Sequence, residues 1–449
     1  MNHKLKKLAL IGGDVIVLYF SLYLTLLIRY REGFSAVTWD AHFWPFTIIF
    51  FLWLVIFYIA NLYSLNLAVN NSKFYALSGR SLIIGGLAAL AFFYLTPRIG
   101  IAPKTNLFIF LAIFAALFYL WRNFYNWSLK SYLPKINIGI VGYNNLVAEI
   151  IAEFKAKPHL GYVLRFVADE NPSGGETEIK PISELENLVN NNKPDLIILS
   201  HDPHKIENLR ATLFNCLPLR ISYQSLPNFY EAITGKVPLD TVNQMWFLEN
   251  LNENNKIWFD RLKSVYDFTL ALIIFIATLP LWLIIAAIIK AGSHGPVFFI
   301  MERAGKNNLP FRLIKFRTMK EDSNDRSPTR AADPRITGFG SFLRKIRLDE
   351  LPQMINILKG EMSFVGPRPE RPELCRQLEA QIPFYAQRTL VKPGLTGPDQ
   401  ISGEYHSPSR QDSLKKLQYD LFYIKNRSAF LDLSIILKTV ATVVSRKGM

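Results

Sequence analysis

The sequence predicts a multidomain membrane protein: an α-helical bundle of four transmembrane segments, an α/β Rossmann-like middle domain, and an α-rich C-terminal domain with a re-entrant membrane helix. Three observations predict it. Four long apolar runs fall within residues 1–130, apolar strands alternate with helical patterns over residues 134–250, and a fifth apolar run at about residues 265–290 opens a segment, residues 258–449, rich in charge and turn motifs. Half of the 449 residues are hydrophobic and 13% are aromatic, which suits a membrane protein of several domains.

The first four runs lie at about residues 8–28, 43–63, 81–97 and 106–121, each near the length that crosses a bilayer as a helix. The first reads as a retained span, since it is long, lacks a small-residue cleavage site and is followed directly by further spans. Lys4, Lys6 and Lys7 precede it, and Arg122, Lys130 and Lys135 follow the fourth run, so the positive-inside tendency puts both ends in the cytoplasm. Asp14 is costly in hydrocarbon. Its place near the cytoplasmic end directs it to water or to a neighbouring helix.

In the middle segment, strands Ile136–Gly142, Tyr162–Ala168 and Asp195–Ser200 alternate with helical patterns at Val147–Phe154 and Ile182–Val189, the order of a parallel sheet with crossover helices. A glycine-rich dinucleotide loop starting from Gly142 would need glycines where Asn144 and Val147 stand. Asp169 ends the second strand, where a ribose-binding acid would sit, but a lone acid there is ordinarily a turn residue. No cofactor is assigned to this module. A structural, dimerising or regulatory role, with a homodimer as one assembly, is the expectation.

The fifth run, Phe268–Ile289, is long enough to span, but Pro280 removes a backbone donor near its middle and predicts a kink. Arg261 and Lys263 precede the run and Lys290 follows it, so both ends suit the basic cytoplasmic face and a hairpin-like insertion. The alternative is a kinked span with the last domain outside.

The most informative stretch is residues 333–369. Leu351, Met354, Ile355 and Leu358 mark one helix face, Gly360 supplies a stop, and Pro352 is tolerable only in a first turn. Asp349 and Glu350 therefore sit at a helix start. An Asp N-cap with a first-turn Glu is the plain reading of such a pair. The neighbours argue for more: Arg335, Arg344, Lys345, Arg347, Arg368 and Arg371 crowd the segment, with Lys315 and Arg317 just upstream, so cations exceed the nearby acids. That surplus calls for an anionic ligand.

From about Asp260 onward the chain resembles the bacterial sugar transferases known as monotopic phosphoglycosyl transferases. The resemblance rests on ordered motifs: GPVFF (Gly295–Phe299), KFRTM (Lys315–Met319), DPRIT (Asp333–Thr337), LDELPQ (Leu348–Gln353), GPRP (Gly366–Pro369), PGLTG (Pro393–Gly397) and YDLFYIKN (Tyr419–Asn426). It implies a two-step transfer of sugar 1-phosphate from a UDP-sugar to polyprenyl (undecaprenyl) phosphate, with release of UMP, as the first step of a surface polysaccharide or glycoconjugate. It further implies Asp349 as the nucleophile that carries the phosphosugar, and a re-entrant helix breaking at Pro280. The physics is compatible: an ionised carboxylate needs no activating base, provided cations shield the diphosphate. Glu350 is the expected partner acid, and Lys315, Arg317, Arg344 and Arg368 are the expected phosphate clamps. A magnesium ion, which binds through one or two carboxylates plus substrate phosphates, is expected at Asp349 or Glu350. The layout of membrane bundle, α/β module and catalytic domain is that of larger family members. Three positions depart from the family pattern: Leu279 stands before the proline where relatives carry Ser, and Pro398 and Glu404 replace an aromatic and an Arg in the Lys392–Arg410 loop. That loop offers Asp399, Gln400, Tyr405 and His406 as hydrogen-bonding groups for nucleotide or sugar.

The net charge of +15 comes with no nucleic-acid-binding motif, and an anionic inner leaflet plus two phosphate-bearing substrates accounts for it. Cys216 and Cys375 lack metal-ligand spacing and a disulfide is not expected, which suits a reducing cytoplasm. Glu321–Ala332 reads as a mobile loop near the site, and Phe430–Val444 as an interfacial or a core helix. The predicted location is the bacterial inner membrane, multi-pass, with the catalytic domain cytoplasmic. Two rival functions are a membrane-anchored nucleotide-sugar oxidoreductase and a non-catalytic scaffold for polysaccharide assembly.

Overall fold

The computed structural model describes residues 3–63, 72–96, 103–132, 135–156, 161–170, 178–200, 207–251, 256–292, 294–320, 333–402 and 409–445. The loop expected at Glu321–Ala332, together with Glu404, Tyr405 and His406, lies outside the described residues. The chain forms two compact units, Met1–Phe229 and Tyr230–Met449.

In the first unit, α1 (His3–Tyr30), α2 (Ala36–Ile59), α3 (Ser72–Leu95) and α4 (Pro103–Tyr132) contain the four apolar runs. All four are long and apolar enough to cross a membrane. Helix α2 starts earlier than its apolar run because Ser35 caps it, its hydroxyl accepting from the Thr38 amide. Between α2 and α4 the core is aromatic: Trp53 packs edge-on against Phe114 at 5.0 Å, Phe57 lies 5.3 Å from Phe118, and Trp53 donates to the Gly85 carbonyl of α3. Asp14 is fully buried and reaches a neighbouring helix, with Arg122 of α4 donating to it at 2.6 Å. The same guanidinium stacks over Phe118 and donates to the Leu62 carbonyl, so this charge pair in an apolar setting is held from several sides.

The α/β module follows: β1 (Ile136–Val141), α5 (Asn145–Ala156), β2 (Tyr162–Asp169), β3 (Ile179–Pro181), α6 (Leu185–Asn192), β4 (Leu196–Leu199), α7 (Glu207–Asn215), β5 (Ser222–Ser225) and α8 (Leu226–Thr234). All strand pairs are parallel and the order is β3-β2-β1-β4-β5, so the predicted strands occupy the sheet centre. The loop after β1 closes on itself. Asp169 accepts the Tyr143 amide at 2.6 Å, while Asn144 caps α5 by accepting from the Val147 amide and donates to the Ser200 hydroxyl. These bonds hold the loop between β1 and α5 with the protein's own side chains.

The second unit begins within α8. Glu231 accepts from Lys425 and Asn426, both at 2.7 Å, and α9 (Gln244–Asn250) stacks Phe247 on Phe384. The long helix α10 (Ile257–Gly292) follows, then a hairpin of β6 (Phe298–Ala304) and β7 (Pro310–Phe316), α11 (Gly338–Lys345), α12 (Gln353–Leu358), β8 (Ser363–Val365), α13 (Pro372–Gln381), β9 (Gly394–Thr396), α14 (Arg410–Asn426) and α15 (Ala429–Ser445).

Helix α10 is also long and apolar enough to cross a membrane, at about 54 Å if straight. It stays helical through Pro280, so the expected break does not interrupt it: the fixed φ of proline fits the helix and only one backbone bond is lost. The helix touches its own unit along both halves. Lys263 bonds Asp432, Asp267 accepts the Phe364 amide at 3.2 Å, and beyond the proline Trp282, Ile285 and Ile289 pack against Phe316 and Leu343. Its other face is apolar and exposed, as at Val265, Ile276 and Leu283. Helix α15 combines both expected characters, burying Asp432 and Ile435 while exposing Phe430 and Leu433.

The core of this unit holds a buried ion pair in which Arg388 donates to Asp420 from Nε at 2.9 Å and to the Arg368 carbonyl at 3.1 Å. Removing one partner strands the other charge among apolar side chains. Asp420→Asn is expected to destabilise this unit by about 3–5 kcal/mol, read as a lowered unfolding midpoint in detergent, and an unchanged midpoint would contradict the pairing.

Candidate active site

The acid pair sits where three short elements converge. After α11, Arg347 adopts a left-handed backbone (φ 57°) that turns the chain sharply, and Leu348–Glu350 form one 3-10 turn before α12. Pro352 occupies the N-cap position of α12, and Gly360, at φ 76°, follows its last turn, as the sequence predicts. The plain reading of Asp349 as an N-cap is not what forms: neither the 3-10 turn nor α12 has a side-chain cap.

The two acids differ in their partners. Glu350 Oε1 accepts from Lys315 Nζ at 2.7 Å and lies 3.6 Å from an Arg368 terminal nitrogen. Asp349 is buried yet makes no ion pair among the described residues. Burial raises the Glu350 carboxyl, but the charges of Lys315 and Arg368 and the Lys315 hydrogen bond outweigh it and bring the group down to about 2. Burial and then the Glu350 charge push the Asp349 carboxyl above its ordinary value, with Lys315 and Arg344 opposing. One acid is thus a fixed anion and the other is held uncommitted beside cations.

Each cation arrives by an identifiable route. Lys315 stands on β7, which Asn356 of α12 locks in register: its amide oxygen accepts the Ile314 amide at 3.1 Å and its nitrogen donates to the Arg312 carbonyl at 2.7 Å. Arg344 ends α11, whose start is fixed because Thr337 caps it and also bonds, through its amide, the Thr318 carbonyl. Arg344 donates to the Thr318 hydroxyl at 2.8 Å. Arg368 follows β8, which pairs in parallel with β9. There the GPRP and PGLTG backbones touch: a Cβ on Gly366 would lie 2.4 Å from the Lys392 carbonyl oxygen, and one on Gly394 would lie 2.1 Å from the Gly366 nitrogen. Those glycines bring Arg368 to the site.

Lys315, Arg344 and Arg368 converge on the acid pair. Arg317 takes a different course, buried and donating to the His294 carbonyl at 2.7 Å, where it ties the chain leaving α10 to the end of β7. Arg335 likewise turns to Asp333, at 2.8 and 2.5 Å. Asp399 and Gln400 begin a 3-10 turn after PGLTG, and Gln400 accepts the Gly397 amide. Beside Glu350 lies a cavity lined by Arg303, Lys315, Gln353, Arg368 and Leu395. Arg303, Gln353, Thr318 and Asn356 are contributions that sequence reasoning missed. Arg303 had a signal: its register opposite Phe311 puts it on the hairpin face that also carries Leu313 and Lys315.

Residues 258–446 match the family model described as "Bacterial sugar transferase". The UDP-N-acetylgalactosamine-undecaprenyl-phosphate N-acetylgalactosaminephosphotransferase of Aeromonas hydrophila is 36% identical over 238 residues, covering 53% of this chain and 55% of that protein. A UDP-glucose:undecaprenyl-phosphate glucose-1-phosphate transferase of Xanthomonas campestris pv. campestris is 34% identical, covering 59% and 56% respectively. The chain thus spans little more than half the length of these two relatives. It covers 71% of the Caulobacter vibrioides UDP-glucose:undecaprenyl-phosphate glucose-1-phosphate transferase, at 37% identity over 189 residues. With the acid pair, its cations and every motif from GPVFF to YDLFYIKN inside the matched segment, the chain belongs to the bacterial sugar transferase family.

Proposed function

We propose that the protein transfers sugar 1-phosphate from a UDP-sugar to a polyprenyl phosphate such as undecaprenyl phosphate, releasing UMP, and so initiates a surface glycan. One observation carries the reading: two adjacent carboxylates, one neutralised by Lys315 and Arg368 and the other without an ion pair among the described residues, beside cations suited to a diphosphate. In the first step an Asp349 oxygen attacks the sugar-bearing phosphorus, the bond to the bridging oxygen breaks, and UMP departs with that electron pair. In the second, an oxygen of the lipid phosphate attacks the same phosphorus and Asp349 leaves as a carboxylate. Arg344 and Lys315 stabilise charge near Asp349, and Arg368 and Lys315 keep Glu350 ionised as the partner acid.

A magnesium ion fits the donor set. No group of three or more His, Cys, Asp or Glu side chains gathers among the described residues, but magnesium needs only one or two carboxylates with substrate phosphates completing its shell. Asp349 and Glu350 would hold it. Bound there, it would supply Lewis-acid stabilisation of the phosphate oxygens.

The membrane arrangement belongs to the same proposal: four spans in the bundle, α10 inserting without crossing, and the catalytic unit on the cytoplasmic face of the inner membrane, where nucleotide sugars are found. Support comes from α10 itself, since one of its faces carries contacts to the catalytic unit on both sides of Pro280, from Lys263 to Ile289, while the other is apolar and exposed, as suits a helix held at one membrane face. Single cysteines replacing Arg261 and Lys290 should react with an impermeant maleimide from the same, cytoplasmic side. Labelling from opposite faces would establish a span instead.

Asp349→Asn is expected to fold and insert but to lose UMP release by on the order of 10³-fold or more. Without lipid acceptor, the unsubstituted enzyme should release one UMP per chain and gain one phosphosugar on the peptide containing Asp349, and a modification elsewhere would reassign the nucleophile. The rate also has a pH signature. The acid limb should report Asp349, because Glu350 stays ionised down to about 2. Lys315 and Arg344 both hold the Asp349 pKa down, so Arg344→Gln should raise it further and move the acid limb of kcat/KM to higher pH. A shift to lower pH would contradict this charge assignment.

A further inference from the structure

Arg303 enters the acid site from β6, apart from the motifs that supply the other cations. Its Nε donates to the Met301 thioether at 3.2 Å, a weak acceptor, and its two terminal nitrogens have neither a hydrogen bond nor an ion pair among the described residues. The acid whose charge reaches it most strongly, Glu370, is paired with Lys416 at 3.6 Å. The Glu370 carbonyl accepts the Ala304 amide at 2.9 Å and so fixes the end of the strand that carries Arg303. Arg368 and Arg371 add repulsion. A guanidinium cannot discharge itself, and a partly buried one facing other guanidiniums is unfavourable unless an anion visits the space between them.

The position indicates which anion. Arg303 and Lys315 share one face of the hairpin and line the cavity with Glu350 and Arg368, whereas Asp349 is not in that lining. Lys315 is common to both sides: it lines the cavity and its charge also acts on Asp349. If Asp349 takes the sugar-bearing phosphorus, the other phosphate of the diphosphate falls toward the cavity. We propose that Arg303 is a binding residue for the phosphate of the departing nucleoside monophosphate, engaging it through its planar fork of N–H donors. This inference rests on the sugar-phosphate transfer proposed above.

The test separates the two. UMP and uridine are titrated calorimetrically into the full-length protein in detergent, and UMP release from UDP-sugars is followed in parallel. Arg303→Gln is expected to weaken UMP binding tenfold or more and to leave uridine binding unchanged, with the KM for the UDP-sugar rising more than kcat falls. Unchanged UMP affinity, or an equal loss for uridine, would overturn the role of Arg303 while leaving the transfer reaction standing. Should the Gln variant not fold, Arg303→Lys decides in the same comparison: a loss of threefold or more confined to UMP is expected, and no loss overturns the proposal. If the unsubstituted enzyme binds UMP through Arg303 but releases none from any UDP-sugar, the transfer reading fails and the anion site remains.

Discussion

The 2.7 Å contact between Lys315 and Glu350 separates the roles of two carboxylates that are neighbours in the chain. Adjacent acids in a tight turn resist ionising together, and without a nearby cation both would drift toward the neutral form as burial deepens. Lys315, backed by Arg368, settles the competition in favour of Glu350. The fixed anion then acts on Asp349, which has no ion pair among the described residues but lies within the field of Lys315 and Arg344. A pair equal in sequence becomes unequal in proton affinity, with Glu350 held low and Asp349 raised, which under the proposed function suits one as nucleophile and the other as its electrostatic partner.

Holding that contact is the work of residues outside the acid pair and its cations. Asn356 fastens β7 to α12 by two backbone hydrogen bonds and also donates to Glu361, so a polar side chain with no exposure sets the distance from Lys315 to the acid turn. On the other flank, the glycine contact between β8 and β9 brings in Arg368, and the Arg368 carbonyl is in turn held by Arg388 of the buried Arg388–Asp420 pair. Tyr423, in the YDLFYIKN motif, donates to the Val365 carbonyl just ahead of GPRP. Motif residues far apart in sequence thus divide into those that meet the acids and those that fix the strands carrying them.

Legibility followed the physics of each signal. The four long helices and the central strands of the parallel sheet were readable because lipid and a two-sided core both demand unbroken apolar runs. The edge strands β3 and β5 were not: three and four residues long, with β5 reading Ser-Tyr-Gln-Ser, they carry no such run and pair only because a neighbour offers free backbone groups. At the site, Pro352 and Gly360 framed the turn correctly, whereas nearness in sequence grouped Arg317 with the cations and passed over Arg303. Strand register shows how their surroundings differ. Lys315 and Arg317 are two apart, but β7 ends at Phe316, and past the strand end Arg317 goes to the His294 carbonyl. Arg303, twelve residues before Lys315, shares its face through the hairpin.

Under the proposed function, one site must serve a soluble and a lipid-borne phosphate, and the hairpin bears on how. Phe299 lies directly opposite Lys315 across the ladder, and both Phe299 and its neighbour Ile300 are exposed apolar residues at the end of the hairpin nearest α10. Helix α10 packs Trp282 against Phe316 at the same end, with a ring separation of 5.5 Å, while its outer face remains apolar. The strand that delivers the Lys315 ammonium is therefore flanked by side chains that prefer hydrocarbon, and the opposite end of the hairpin delivers Arg303 into the cavity beside Glu350. A phosphate on a lipid must keep its charge at the interface while its chain stays in the apolar layer. Under the proposed function, an ammonium set between an apolar strand end and the cavity that Arg303 and Arg368 line would meet that demand from one side and the nucleotide's from the other.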